Sequence, residues 1–272
     1  MEIEIFDVEH GACALVTADN RRRILIDCGH NATTNWRPSW FLPARGIDFV
    51  DRLVISNYDE DHVSDLPNFL SSVAVPVLSR NPSVSPYLLP ILKEENGMGR
   101  GIGTLAHMAG NHYNQPLLIA QDFGALQIEH YWNNYPEFTD ENNLSLVTIL
   151  RYQNLGVIFP GDIEKQGWLR LLERQDFRDA LMGVNVFVAS HHGRENGYCP
   201  EVFEYCFPEI VIFSDSAVIY ETQKTSDLYR QHTSGIQFFD GKVRHVLTTR
   251  NNGMLRISQV GAGTGLVWIS RA

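Results

Sequence analysis

The ten residues Leu53-Val54-Ile55-Ser56-Asn57-Tyr58-Asp59-Glu60-Asp61-His62 set three carboxylates and an imidazole directly after an apolar run. Val54, Ile55 and their neighbours read as a buried strand. Ser64 and Asp65, followed by Leu66, Phe69 and Leu70, read as the start of a short helix. The acidic cluster therefore belongs at a strand's end. Carboxylates packed this closely repel one another and lose hydration, so a fold that gathers them needs a cation or a hydrogen-bond network in compensation. A metal ion is the compensator this pattern points to.

Such a site needs a scaffold, and 272 residues bury a sizeable core without disulfide or metal staples. A hydrophobic fraction of 44% and a charged fraction of 20% exclude a disordered chain. No apolar run approaches the roughly 18 to 20 residues of a spanning helix, and Met1 to Phe6 lacks the layout of a secretory signal. The expectation is a cytoplasmic protein with no membrane partner. Cys13, Cys28, Cys199 and Cys206 form no CxxC pair and read as free thiols. The formal charge of −10 argues against gripping nucleic acid by bulk electrostatics.

Along the chain, three strands near 2–8, 12–18 and 22–28 form a meander, the mark of an antiparallel sheet. The third, Ile24 to Cys28, delivers Asp27 to its end. Trp36, Trp40 and Phe41 lie in an irregular stretch, residues 30–49, with room for a short helix. A strand is expected at Val73 to Leu78, a helix from Tyr87 to Glu95, and a mobile connector at Gly97-Met98-Gly99-Arg100-Gly101. Strands near 125–131 and 146–150 follow, then Leu155 to Phe159, which stops at Pro160-Gly161-Asp162. Ile163 to Arg174 has helical spacing, and Arg170, Arg174 and Arg178 fall four apart. Val184 to Ala189 ends in Ser190-His191-His192-Gly193. A strand at Ile210 to Ser214, a helix near 222–234 and strands near 244–250 and 253–260 complete a single domain spanning 1–272.

The strand ends together present Asp27; Asn57, Asp59, Asp61 and His62; Asn142 or Asn143; Asp162; and His191 and His192. Oxygen and nitrogen ligands carried on several rigid strands are what a hydrolytic metal centre needs, because the strands fix geometry while the loops leave positions open for water. An aspartate after a strand is commonly a turn residue or a helix cap. Four apolar strands that all end in possible ligands are harder to explain that way.

These residues carry a resemblance to the metallo-β-lactamase superfamily, in the branch similar to the hydrolase domain of ComEC-type competence DNA-uptake proteins. Phe6 to Gly11 resembles the opening strand and turn, Ile24 to Gly29 the "LIDxG" strand, and Leu53 to His62 the "SHxDxDH" signature. Asn143 to Val147 is similar to "NxxSLVL", Phe159 to Asp162 to "LTGD", and Ser190 to Gly193 to "HHGS". The resemblance implies an α/β (α+β) fold, a four-layer αβ/βα sandwich of two mixed, mainly antiparallel sheets flanked by helices. The metal site would lie along the top edge between the sheets.

Carried over by residue, the resemblance makes Asn57, Asp59, Asp61, His62, Asp162, His191 and His192 the candidate metal ligands, with Asp162 bridging two metals and one of the two late histidines a ligand. Asp61, His191 and His192 are the catalytic candidates, as proton donors or phosphate contacts, and Asp27 orients ligands from behind. Asn57 stands where the signature has its first histidine. An amide oxygen suits Zn²⁺ poorly and Mn²⁺ or Mg²⁺ better. One or two divalent ions, Zn²⁺ or Mn²⁺ or else Mg²⁺, are therefore expected, or a degenerate site that serves as a non-catalytic subunit. The implied activity is a phosphodiesterase or nuclease using a metal-bound hydroxide on a nucleic acid or nucleotide phosphodiester. Hydrolysis of another ester, a lactam or a thioester is the alternative, and protein partners in nucleic-acid processing or defence are expected beside it.

Overall fold

Branched apolar residues fill the strands on both faces, which only a layered fold can bury. The computed structural model describes residues 1–94, 97–115, 117, 119–216, 224–238 and 240–258, and the backbone of 266–269. Its strands are β1 (Glu2–Ile5), β2 (Ala14–Thr17), β3 (Arg23–Ile26), β4 (Arg52–Val54), β5 (Leu78–Ser79), β6 (Gln127–Trp132), β7 (Leu146–Tyr152) and β8 (Leu155–Phe159). They continue with β9 (Val186–Val188), β10 (Ile210–Phe213), β11 (Ile236–Gln237), β12 (Val243–Arg244), β13 (Val246–Thr248), β14 (Leu255–Ser258) and β15 (Leu266–Ile269). One sheet runs β15-β14-β1-β2-β3-β4-β5 and the other β13-β10-β9-β8-β7-β6, with β11-β12 a separate ribbon.

The opening meander is present, with Ile5 opposite Ala14 and Ala14 opposite Ile26. Both sheets are mixed, as the resemblance implies, but only the first is mainly antiparallel. In the second, β8-β9, β9-β10 and β10-β13 are parallel. The reason is connectivity. The helices Lys165–Leu172 and Gln175–Leu181 carry the chain from β8 back to the start of β9, which is what a parallel pair requires.

Alternation along the strands produces the layers. Ile24, Ile26 and Val54 of the first sheet meet Leu146, Leu150, Val157 and Ile212 of the second in one shared core. Leu25, Leu53 and Ile55 point outward, where Leu42, Phe69 and Leu105 cover them. On the opposite side Val147, Ile158 and Phe187 pack under Trp168, Leu171 and Phe177. Helix, sheet, sheet and helix are the four layers. The four cysteines are buried free thiols. No helix among the described residues is long and apolar enough to cross a membrane.

Several local expectations differ from the structure. The glycine-rich connector opens a helix, Arg100–Asn111, whose Ile102, Leu105 and Ala109 are buried. Glycine is needed at its start for approach, since a Cβ on Gly101 would lie 2.2 Å from the Val63 carbonyl oxygen. Of the strand expected at 73–78 only Leu78 pairs along β4, followed by Ser79, because Pro76 lacks a donor for the ladder. The helix expected from Tyr87 to Glu95 is a 3₁₀ turn, Pro86–Leu88, followed by Leu89–Leu92, with residue 95 outside the described residues. Arg170 and Arg178 sit on different helices and form no stripe; Arg170 pairs with Glu137 and Glu173 instead. The late helix is short, Ser226–Arg230, and the first residues expected in it, 222 and 223, lie outside the described residues.

Candidate metal centre

The acidic run after β4 divides three ways. Asp59, the residue before the short helix Glu60–Val63, pairs with Lys93. Glu60 turns outward and accepts hydrogen bonds from Gly101 N at 2.8 Å and Ile102 N at 3.1 Å, capping the helix Arg100–Asn111. Asp61 and His62 turn inward. Only this last pair meets the late histidines.

His62 is almost wholly buried and is oriented from behind: its Nδ1 lies 2.9 Å from Asp27 Oδ2. Asp27 in turn accepts from Ser56 N at 2.7 Å and from the Ser56 hydroxyl. With Nδ1 thus engaged, Nε2 points inward and lies 3.1 Å from Asp162 Oδ1. A histidine whose second nitrogen is held by a carboxylate is the usual arrangement for a metal ligand. His192 Nε2 lies 3.3 Å from Asp162 Oδ2 and 3.6 Å from Asp61 Oδ2. One ligand atom each from Asp61, His62 and His192 falls within 4.8 Å of the others. A cavity of about 40 Å³ adjoins them, with Asp27, Ser56, His62, Asp162 and His192 on its polar side.

The backbone that holds this group is strained. Asp27, His191 and His192 have φ of 58°, 49° and 54°, left-handed values rare for residues with side chains and concentrated at functional sites. Two glycines let the strand ends close on each other. A Cβ on Gly11 or on Gly29 would stand 2.4 Å from the Asp61 carbonyl oxygen.

Charge follows position. Burial works against protonating His62, but Asp162 and Asp27 outweigh it and hold its pKa well above 6.5. Burial likewise opposes charge on His192, and Asp162 again raises it. Asp162 is fully enclosed, which favours its neutral form, yet His192 and His62 keep it well below 3.8. His191 differs. Burial lowers its pKa below 6.5, its Nε2 stands 3.9 Å from Asp162 Oδ2, and its Nδ1 faces Glu164 Oε1 at 3.6 Å. Two carboxylates and two imidazoles around one small space suit a divalent ion of borderline softness.

Asn57 and Asp59 stand apart. Asn57 Oδ1 accepts from Asp59 N at 2.7 Å, and its Nδ2 donates to Ser145 Oγ at 3.1 Å, with Asn142 Oδ1 and the Glu141 carbonyl each at 3.3 Å. The amide that stands in place of the signature histidine is engaged in loop hydrogen bonds. Asp59 is committed to Lys93. Asn142 donates to Glu164 Oε1 at 3.0 Å, while Asn143 Oδ1 receives Glu164 N and Gly167 N, tying the loop before β7 to the helix after β8. Sequence reasoning missed Ser56, Glu164 and Lys93. Ser56 alone carried a signal, as part of the quoted signature; nothing local marks a lysine 31 residues beyond His62.

The metallo-beta-lactamase superfamily model matches residues 6–193. ComE operon protein 3 of Bacillus subtilis (strain 168) is 23% identical over 275 residues, covering 94% of this chain and 32% of that protein. The chain thus spans about a third of the length of the curated relative it matches. Among solved structures, the metallo-beta-lactamase fold protein YhfI from Bacillus subtilis superposes with a TM-score of 0.52 at 10% identity, over 94% of this chain and 100% of that one. CmlA, a diiron beta-hydroxylase from Streptomyces venezuelae, gives 0.53 at 14% identity, over 91% of this chain and 53% of that one. At such identities the likeness is one of fold, and a fold hosts many chemistries.

Proposed function

The chain belongs to the metallo-β-lactamase superfamily, and from that premise we propose that it is a metal-dependent phosphodiesterase acting on a nucleic acid or nucleotide. The observation that carries the metal is the convergence of Asp61, His62 and His192 on one point beside Asp162, with His62 braced by Asp27. In this reading these four residues hold the ion. A divalent ion bound there supplies Lewis acidity toward a phosphoryl oxygen and a water molecule of lowered pKa. Asp162 and Asp61 would be the carboxylates available to orient that water. His191, outside the ligand group and facing Glu164, is placed to hold a proton for the leaving oxygen at Nε2.

The substrate class is supported by motifs resembling those of ComEC-type DNA-uptake hydrolase domains and by similarity to ComE operon protein 3. Net charge narrows it. At −10 the chain repels a long duplex, so a nucleotide or a short single strand, which needs few phosphate contacts, fits better.

The test is direct. Purified protein is incubated with labelled single-stranded DNA, RNA, a model phosphodiester and a model carboxyl ester, each under Mn²⁺, Mg²⁺ and Zn²⁺. Phosphodiester cleavage that disappears with chelator is expected. Turnover of the carboxyl ester alone would sink the substrate class, and an ion bound tightly with every substrate intact would sink the catalytic reading.

A further inference from the structure

We propose that Lys93 serves as a built-in cation: its ammonium, fixed between Asp59 and Glu141, takes the place of a second metal ion and leaves the centre to bind a single one. This rests on the metal-dependent reading above and concerns how many ions the site holds.

Lys93 follows the helix Leu89–Leu92, and its side chain is only 4% exposed. An ammonium that deep is costly unless paired and hydrogen-bonded. Here it is paired twice, with the Asp59 carboxylate and with Glu141 Oε1 at 2.8 Å. Burial pushes its pKa down, but the bonds to Asp59 and Glu141 outweigh that and raise it, so the charge stays. Two carboxylates that face each other across a small space are what a divalent ion would bridge. The lysine already bridges them.

Asn57 closes the same half of the site from the other side. Its one acceptor atom is engaged by Asp59 N, and its two N–H donors point at Ser145, Asn142 and the Glu141 carbonyl. The direction of the amide is set by these partners, because a backbone N–H must meet the oxygen and a carbonyl must meet the nitrogen. Asn57 Oδ1 is thereby turned to the Asp59 backbone and its donors to the loop. The two halves remain one network, since Ser145 Oγ receives both Asn57 Nδ2 and Asp162 N, each at 3.1 Å. Lys93 is accordingly a positioning residue. It pairs with Asp59 and Glu141 and ties them together without touching the ion.

The experiment counts ions. The full chain is stripped with chelator, reloaded with Mn²⁺ or Zn²⁺, and analysed for ions per chain, with affinity taken from calorimetric titration. Wild type is expected to hold one ion. Lys93→Met removes the ammonium shared by Asp59 and Glu141 and is expected to take up a second ion, which Lys93→Arg does not. Asp59→Asn in the wild-type background covers the case in which Lys93→Met fails to fold. It should keep the single ion with affinity within about threefold, whereas loss of a true ligand or its support costs tenfold or more. Two ions in wild type, one ion in folded Lys93→Met, or a loss of more than about tenfold in Asp59→Asn overturns the inference and leaves the metal-dependent reading standing. No bound ion in wild type overturns both. Phosphodiesterase activity enters none of these readouts.

Discussion

Two neighbouring halves of one acidic loop answer the same electrostatic problem in opposite ways. Around Asn57 and Asp59 the compensation comes from within the chain, from Lys93 and from amide hydrogen bonds. Around Asp61, His62, Asp162 and His192 the match is looser: His192 Nε2 lies 3.6 Å from Asp61 Oδ2, and the backbone at Asp27, His191 and His192 is held in left-handed conformations. A satisfied network is a structural device, whereas an incompletely satisfied and strained one in a buried site is kept for a ligand. Asp59 and Asp61 are only two residues apart in sequence. Crowded carboxylates therefore announce that compensation is needed, and only the three-dimensional partners tell which kind.

Breaking the second half should have the largest effect. Asp162→Ala removes the carboxylate between His62 and His192, and hydrolytic activity should fall by about a thousandfold or more, the ion and its two imidazoles losing their common partner. Circular dichroism would check that the fold persists. Retention of more than a tenth of the activity would move the reaction away from this half. Behind the ligands, Asp27→Ala frees His62 Nδ1 and the Ser56 hydroxyl. Metal affinity should drop by about 10- to 100-fold, the usual cost of losing a carboxylate that orients a ligand.

The same contrast explains what was legible beforehand. The meander, the strands that end at Asp27, Asp162 and His191, and the motif order are patterns of apolar run and terminal polar residue, and these survive folding because burial alone imposes them. The resemblance then supplied the four layers. It also groups Asn57 and Asp59 with the ligands, and in the structure their contacts are with Ser145 and Lys93. Their fate depends on Lys93 and Ser145, which contact arrives from 34 and 88 residues away and leaves no local mark. The glycine-rich start of the helix Arg100–Asn111 was misread for a related reason. Glycine there marks close approach to Val63 and Glu60, whereas in isolation it signals a flexible turn.

Removing the ion should expose the difference between the halves through pH. In the metal-free protein His62 is stabilised as the cation, with a folded pKa above 6.5. That contribution is fully present below the unfolded value and is lost as pH rises through the raised folded one. Asp162, lowered in the fold, contributes above 3.8 and loses its share only as pH falls through its depressed value. Chelated protein should therefore lose thermal stability as pH rises beyond neutrality. Loaded protein should not, because the ion replaces the protons it displaces. The gap between the two melting temperatures should widen with pH. A constant gap would mean that His62 is not among the groups the ion displaces.

Glu60 sharpens the comparison most finely, because it lies between Asp59 and Asp61 yet belongs to neither half. Its carboxylate caps the helix Arg100–Asn111 through Gly101 N and Ile102 N, and it fits there only because position 99 is glycine: a Cβ would stand 2.2 Å from Glu60 Oε2. Glu60→Ala removes the acceptor for two N–H groups at a helix start, a loss of about 1 kcal/mol. In a chain of this size that is a fall of roughly 2 to 4 °C in melting temperature. Ion stoichiometry and activity should stay at wild-type values, since Glu60 touches neither Lys93 nor the ligand group. A drop in metal affinity with unchanged melting temperature would reverse the assignment, making Glu60 part of the metal half and the helix cap incidental.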